Sequence, residues 1–317
     1  MRILIATDFS PFADTARSLV RNMRLPAGSH IRVVHAIEPV TTVTIFAPAA
    51  LLTFTEATEN EARALVRDTE KALAAPGVTV DGVVGNGRAA DVVMDEADSF
   101  RPDLLVVGSR GRGAFATNIL GSVSAELVDR APCPVLVARA STLRRTILAD
   151  DGSENAAAGA RAIDELAPLR TASVHVVSVV DAPFPVVFAD PTATSTAVEA
   201  LRDYEAAMPA LREQRRGLAR QRATALQAAG RAATWEQREG DPAYELIAAA
   251  AERHADCIVI GSRGQTGVRR LVIGSVARSV LIHAPCSVLV VHAKAGAPSK
   301  EVSASGDLAA AGTAGPR

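Results

Sequence analysis

The sequence predicts an α/β protein made of two tandem domains, each built on a five-stranded parallel sheet. Three observations carry this. Short apolar runs of strand length alternate with longer Ala-rich, charge-dotted stretches of helical length, the pattern of crossover units on a parallel sheet. Hydrophobic residues make up 48% of the 317-residue chain but aromatics only 3%. The core is therefore assembled from Ala, Val, Leu and Ile, as in strands buried on both faces. The chain also repeats itself: RILIATDFSPFADTA from Arg2 aligns with RTILADDGSENAAAGA from Arg145, and GSRGRGAFATNILGS from Gly108 aligns with GSRGQTGVRRLVIGS from Gly261.

The elements follow in order. In the first half, strands are expected near residues 2–7, 31–37, 78–84, 104–107 and 134–139. In the second they fall near 145–150, 173–180, 232–238, 257–260 and 287–292. Between the second and third strand of each half lies a long helix. In EATENEARALVRDTEKALAA, from Glu56, residues Ala62, Leu65, Val66, Thr69 and Leu73 share one face at helical spacing. The second-half equivalent runs from Tyr204. Residues 184–199, rich in Pro, Ala and Thr, are expected to form a surface excursion before it. The counterpart TTVTIFAPAALLTF is more apolar and is read either as a packed helix or as an interaction patch. The domain boundaries are placed at 1–140 and 144–294, with a linker of a few residues, and 295–317 as a disordered tail.

The repeated loop is where chemistry is expected. Each copy follows a buried strand and obeys one spacing: Gly, two residues, Gly, nine residues, Gly-Ser. Glycine allows positive φ and close approach of a ligand to the backbone. The closing Gly-Ser stands where a helix starts, and the free N–H groups and dipole there favour an anion. Arg110 and Arg263 add positive charge within the loops. A strand-to-helix connection that merely needs glycine is the plainer alternative, and it is weakened by the second copy. No GxxxxGK[ST] occurs. The GxGxxA match at Gly111 to Ala116 is broken in the second half, where Thr266 replaces Gly113, and is taken as accidental.

With these motifs the chain resembles the universal stress protein family. The likeness rests on the Gly-x2-Gly-x9-Gly-Ser spacing, which is similar to that family's ATP-binding motif. It also rests on the Asp-x-Ser that ends the first strand, the VVHA-type second strand and the Ala-Pro-Cys-Pro/Ser-Val-Leu-Val final strand. The resemblance covers both halves. It implies strand order 3-2-1-4-5 with helices on both faces, and so a crevice at the carboxyl ends of strands 1 and 4. Carried over by position, the first site would use Asp8, Ala36, Val107, Gly108, Arg110, Gly111, Gly121, Ser122 and Val123. The second would use Asp151, Val179, Ile260, Gly261, Arg263, Gly264, Gly274, Ser275 and Val276. The implied cofactor is ATP, with Mg²⁺ as a candidate companion. Asp150 beside Asp151 is a departure: it doubles the negative charge, which would either weaken a polyphosphate or help hold a metal. Capping of the following helix is the second role open to Asp8 and Asp151.

Other residues point away from chemistry. Cys133, Cys257 and Cys286 read as small buried hydrophobes. Three cysteines in 317 residues favour a reducing, cytoplasmic setting. The six histidines form no zinc-ligand spacing, His35 and His175 read as core or rim residues, and Trp235 reads as packing. No Ser/His/Asp arrangement repeats, so no triad is expected. The pairs Arg144-Arg145 and Arg269-Arg270 read as solvated charge, with contact to a phosphate the alternative for Arg269-Arg270, which lies inside the glycine loop. The net charge of −1 calls for neither nucleic acid nor an anionic membrane, and no apolar run is long enough to span one. The opening MRILIATDFS reads as a buried strand rather than a secretion signal. By the strand order that the resemblance implies, the final strands are sheet edges, and the resemblance also implies that they pair antiparallel with each other or with a second chain in a homodimer. The expected function, implied by the resemblance, is an ATP-binding regulatory protein with two nucleotide sites; a slow ATPase or nucleotidyl transferase and a nucleotide-free interaction module are the alternatives.

Overall fold

The computed structural model describes residues 1–38, 48–111, 120–181, 194–264 and 273–293. The first half runs β1 (Arg2–Ala6), α1 (Pro11–Arg21), β2 (Ser29–Ile37), α2 (Pro48–Leu73), β3 (Val78–Asn86), α3 (Ala89–Phe100), β4 (Leu104–Gly108), α4 (Ser122–Arg130) and β5 (Val135–Ala138). The second runs β6 (Arg145–Ala149), α5 (Glu154–Glu165), β7 (Ser173–Val180), α6 (Thr194–Ala228), β8 (Ala233–Glu239), α7 (Pro242–Glu252), β9 (Cys257–Gly261), α8 (Ser275–His283) and β10 (Ser287–Val291).

The ten strands of the described residues join one sheet, in order β3-β2-β1-β4-β5-β10-β9-β6-β7-β8. Pairing is parallel within each half. The halves meet through an antiparallel pair, with Val137 opposite Val288 and Leu136 opposite Leu289. Residues alternate between the two faces of the sheet. Ile3, Ile5, Val33 and Val106 pack beneath α1 and α2, while Leu4, Val34, Leu105 and Val107 pack on the other face. Each face carries one apolar layer that runs through both halves. Leu136 and Leu289, each 1% exposed, lie in the same layer at the seam.

Local chemistry sets the helix starts. Ser10 caps α1 by accepting the Ala13 N–H, with Pro11 at the first helical position. Ser153 caps α5 through the Ala156 N–H. The serine of each Asp-x-Ser, not the aspartate, therefore does the capping; the aspartate turns the chain one step earlier. Helix α6 begins at Thr194 and spans 35 residues. The expected surface excursion is thus shorter than residues 184–199, and residues 182–193 lie outside the described residues. The apolar segment TTVTIFAPAALLTF is helical from Pro48 onward, and its earlier part is outside them too. So is the chain after residue 293, where the tail was expected.

Trp235 packs on the core from the edge strand β8. The three cysteines are free and buried. Burial pushes the thiols of Cys133 and Cys286 up to about 12 and that of Cys257 well above its usual value, so none is a ready thiolate. Among the described residues, no helix is long and apolar enough to cross a membrane.

Candidate functional site

At the carboxyl ends of β1 and β4 the chain leaves the sheet in opposite directions, and a crevice of about 510 Å³ opens between the departing connections. The same happens at β6 and β9, with about 500 Å³. Both volumes suit a small ligand. In the first crevice Asp8, Ala36, Val107, Gly108, Arg110, Gly111, Gly121, Ser122 and Val123 all form the lining. In the second, Asp151, Val179, Ile260, Gly261, Arg263, Gly264, Gly274, Ser275 and Val276 do so. The middles of the glycine loops, residues 112–119 and 265–272, lie outside the described residues, and with them Arg269-Arg270 and most of the GxGxxA match.

One wall of each crevice is a carboxylate. Asp8 Oδ1 accepts the Ser10 N–H at 3.1 Å, and Asp151 Oδ1 accepts the Ser153 N–H at 2.9 Å. This turn fixes the side chain, and the second oxygen faces the loop. A Cβ built on Gly111 would lie 2.8 Å from Asp8 Oδ2, and one on Gly264 would lie 2.8 Å from Asp151 Oδ2. A side chain at the second glycine of the spacing would therefore have to displace the aspartate across from it. The first glycine has another reason. A Cβ on Gly108 would meet the Phe12 carbonyl at 2.9 Å, and one on Gly261 would meet Asn155 Cβ at 2.6 Å. Glycine there lets the first helix pack against the end of the strand.

The opposite wall is a helix start. Gly121 caps α4 and Gly274 caps α8, each without a side-chain hydrogen bond. By contrast, α1, α5 and α7 have Ser10, Ser153 and Asp241 as side-chain caps. The first-turn N–H groups of α4 and α8 are thus not consumed by a cap and face the crevice with the positive end of the helix dipole. The loop ends are pinned: the Gly121 N–H donates to the Ser109 carbonyl at 2.9 Å, and the Gly274 N–H to the Ser262 carbonyl at 2.8 Å. In the first half Ser124 also donates its hydroxyl to the Gly108 carbonyl at 2.7 Å. Ser122 and Ser275, exposed at the first helical position, add a hydroxyl each.

The floors differ. The first holds Thr7 and His35, with His35 Nδ1 2.8 Å from the Thr7 carbonyl. The second holds Asp150, only 3% exposed. Its Oδ1 accepts the Gly152 N–H at 2.9 Å, and its Oδ2 accepts Arg222 Nε at 2.6 Å. The extra negative charge expected from the sequence is therefore neutralised from α6, and Asp150 is committed to that pair. A second arginine of α6, Arg215, lines the crevice and donates to the Asp151 carbonyl at 2.5 Å. The offset that carries Gly108 onto Gly261 carries Ala62 onto Arg215 and Thr69 onto Arg222. That alignment does not mark either arginine, because Ala62 and Thr69 do not line the first crevice. His35 was visible as the neighbour of Ala36.

The arrangement presents acceptors on one side and backbone N–H donors with a nearby guanidinium on the other. It suits a ligand with donor groups at one end and an anion at the other. Among the described residues no group of three or more His, Cys, Asp or Glu is placed to hold a metal.

Comparison with known proteins gives one consistent result. The model of the universal stress protein family matches residues 1–139 and 142–292. A universal stress protein of Thermus aquaticus, from the 3′ region of a QAH/OAS sulfhydrylase gene, is 35% identical over 138 residues, covering 43% of this chain and 97% of its own. One from Mycolicibacterium smegmatis is 28% identical over 312 residues, covering 92% of this chain and 96% of its own. A crystal structure of a universal stress protein from Archaeoglobus fulgidus superposes with a TM-score of 0.64 at 19% identity, covering 92% of this chain and 98% of that one, which is agreement in fold.

Proposed function

The chain belongs to the universal stress protein family, and from that premise we propose that it is an ATP-binding regulatory protein with one nucleotide site in each half. The domains carrying them are residues 1–140 and 144–294. The observation that carries the reading is the paired wall. In both halves a carboxylate faces a helix start that has no side-chain cap, across a glycine whose Cβ would press on that carboxylate. Asp8 and Asp151 would accept from the ribose hydroxyls or the base. The backbone at Ala36 and Val179 would contact the base. The N–H groups of Ser122, Val123, Ser275 and Val276 would hold the phosphates, with Arg110 and Arg263 beside them. The donor set fits a polyphosphate. It does not fit a protein-held metal, so Mg²⁺ would arrive coordinated by the phosphates.

Calorimetric titration of the full chain tests this. Two equivalents of ATP are expected per chain, falling to one with Gly111→Leu or Gly264→Leu, since either side chain displaces the facing aspartate. Absence of heat at high micromolar ATP would overturn the reading in favour of a nucleotide-free interaction module. Multiple turnovers per minute, abolished by Gly121→Val with Gly274→Val, would replace it with an ATPase.

A further inference from the structure

Helices α4 and α8 start at the two crevices, and each is contacted at its far end from across the β5–β10 seam. Arg139, just past β5, donates to the Leu281 carbonyl on α8. Its repeat partner His292, just past β10, places Nε2 3.0 Å from the Val128 carbonyl on α4. These two contacts obey the repeat. A third does not. Asp129, on the last turn of α4, accepts the backbone N–H of Ile273 at 3.1 Å. It also pairs with Arg278, one turn into α8, at 3.3 Å. Ile273 is buried and directly precedes Gly274 and Ser275, the start of α8 and the donor wall of the second crevice. The repeat carries Asp129 onto Ile282, which has no side-chain acceptor, so that position gives the first crevice no equivalent support.

We infer that Asp129 is a positioning residue of the second crevice, supplied by the first half, and that α4 couples the two crevices through it. The coupling rests on the nucleotide reading above; the positioning does not. The physical chain is short. Helix α4 has nine residues, about 13 Å of rise, with the first crevice at its N-terminus and Asp129 in its last turn. A ligand that draws Ser122 toward its anion displaces α4 as a unit, and Asp129 carries the displacement to the Ile273 N–H. That N–H orients the peptide leading into Gly274. The effect is reciprocal, because linkage between two binding equilibria must be.

The test uses the full chain with Asp129→Ala and Asp129→Asn. Without nucleotide, amide exchange at Ile273 and Gly274 is expected to quicken in Asp129→Ala and to recover in part in Asp129→Asn, whose carbonyl still accepts. With ATP, Asp129→Ala in a Gly111→Leu background is expected to weaken the second crevice about tenfold, the scale of one lost hydrogen bond to a charged group. In a Gly264→Leu background it is expected to leave the first unchanged. With both crevices intact, filling the first is expected to shift the affinity of the second about fivefold or more, and Asp129→Ala to abolish the shift. Unchanged exchange at Ile273, or equal weakening of both crevices, would overturn the positioning role. Independent binding at the two crevices would overturn the coupling. If the unaltered chain binds no ATP, the nucleotide reading and the coupling fall together, and the exchange measurement still decides the role of Asp129.

Discussion

The two crevices share a backbone and differ in what lies beneath them. In the first, Thr7 and His35 form a floor without a buried formal charge pair. In the second, Asp150 is buried and depends on Arg222, while Arg215 adds a guanidinium that the first half replaces with Ala62. The walls, by contrast, are near copies: aspartate, two glycines and an open helix start. A repeated scaffold can thus keep its ligand geometry and still diverge electrostatically, provided the change is compensated from a neighbouring element. Here a charge at the end of β6 is matched from α6.

Breaking that compensation should have the largest effect. Arg222→Ala leaves Asp150 buried without its partner and is expected to cost about 3–5 kcal/mol in denaturant unfolding. Converting both positions to the first-half residues, Asp150→Thr with Arg222→Thr, should recover most of the loss; no recovery would show that the pair is not self-contained. Arg215→Ala is expected to weaken ATP about tenfold at the second crevice alone, by removal of a charge-assisted donor. Equal loss at both crevices would contradict the assignment. Ser10→Ala and Ser153→Ala should each cost about 1 kcal/mol. Their near equality, measured by thermal unfolding, checks that the caps are equivalent.

Acid should separate the halves most subtly. His175 and His292 belong to the second half, and the repeat sets Arg32 and Arg139 in their places in the first. Burial lowers the pKa of both histidines; nearby arginines lower it further, against the pull of Glu236 on His175 and of the Val128 carbonyl and Asp129 on His292. The folded state therefore resists protons that the unfolded chain accepts below about pH 6.5. Stability is lost as pH falls through that window and regained as it rises. Amide protection in the second half should decline before that in the first between pH 7 and 5. Simultaneous decline would remove the distinction.

Much of the framework was legible in the sequence, for reasons visible in particular residues. Asp8 and Gly111 face each other because each ends or follows a buried strand, and such strands announce themselves as apolar runs. The repeat then doubled every motif. The contents of the floor were not legible. The sequence of α6 says which residues are apolar, not which of its several arginines turns toward Asp150; only the packing of α6 on β7 and β8 selects Arg215 and Arg222. Whether the aspartate or the serine two residues on caps the helix was not legible either, because both are good caps and only the turn geometry assigns them. Asp129 was invisible because its partner Ile273 is contributed through a backbone N–H, which carries no residue signature.

The antiparallel pair β5–β10 also orders events in time. It joins Leu136 to Leu289, far apart in the chain, while every other strand of each half finds its neighbours within that half. Closing so long a loop is entropically unfavourable until both ends are preformed. The seam is therefore expected to be the last part of the sheet to assemble, which the order of amide protection during refolding would check. The helix contacts laid across it, including those at the second crevice, come into being only when the two halves have docked.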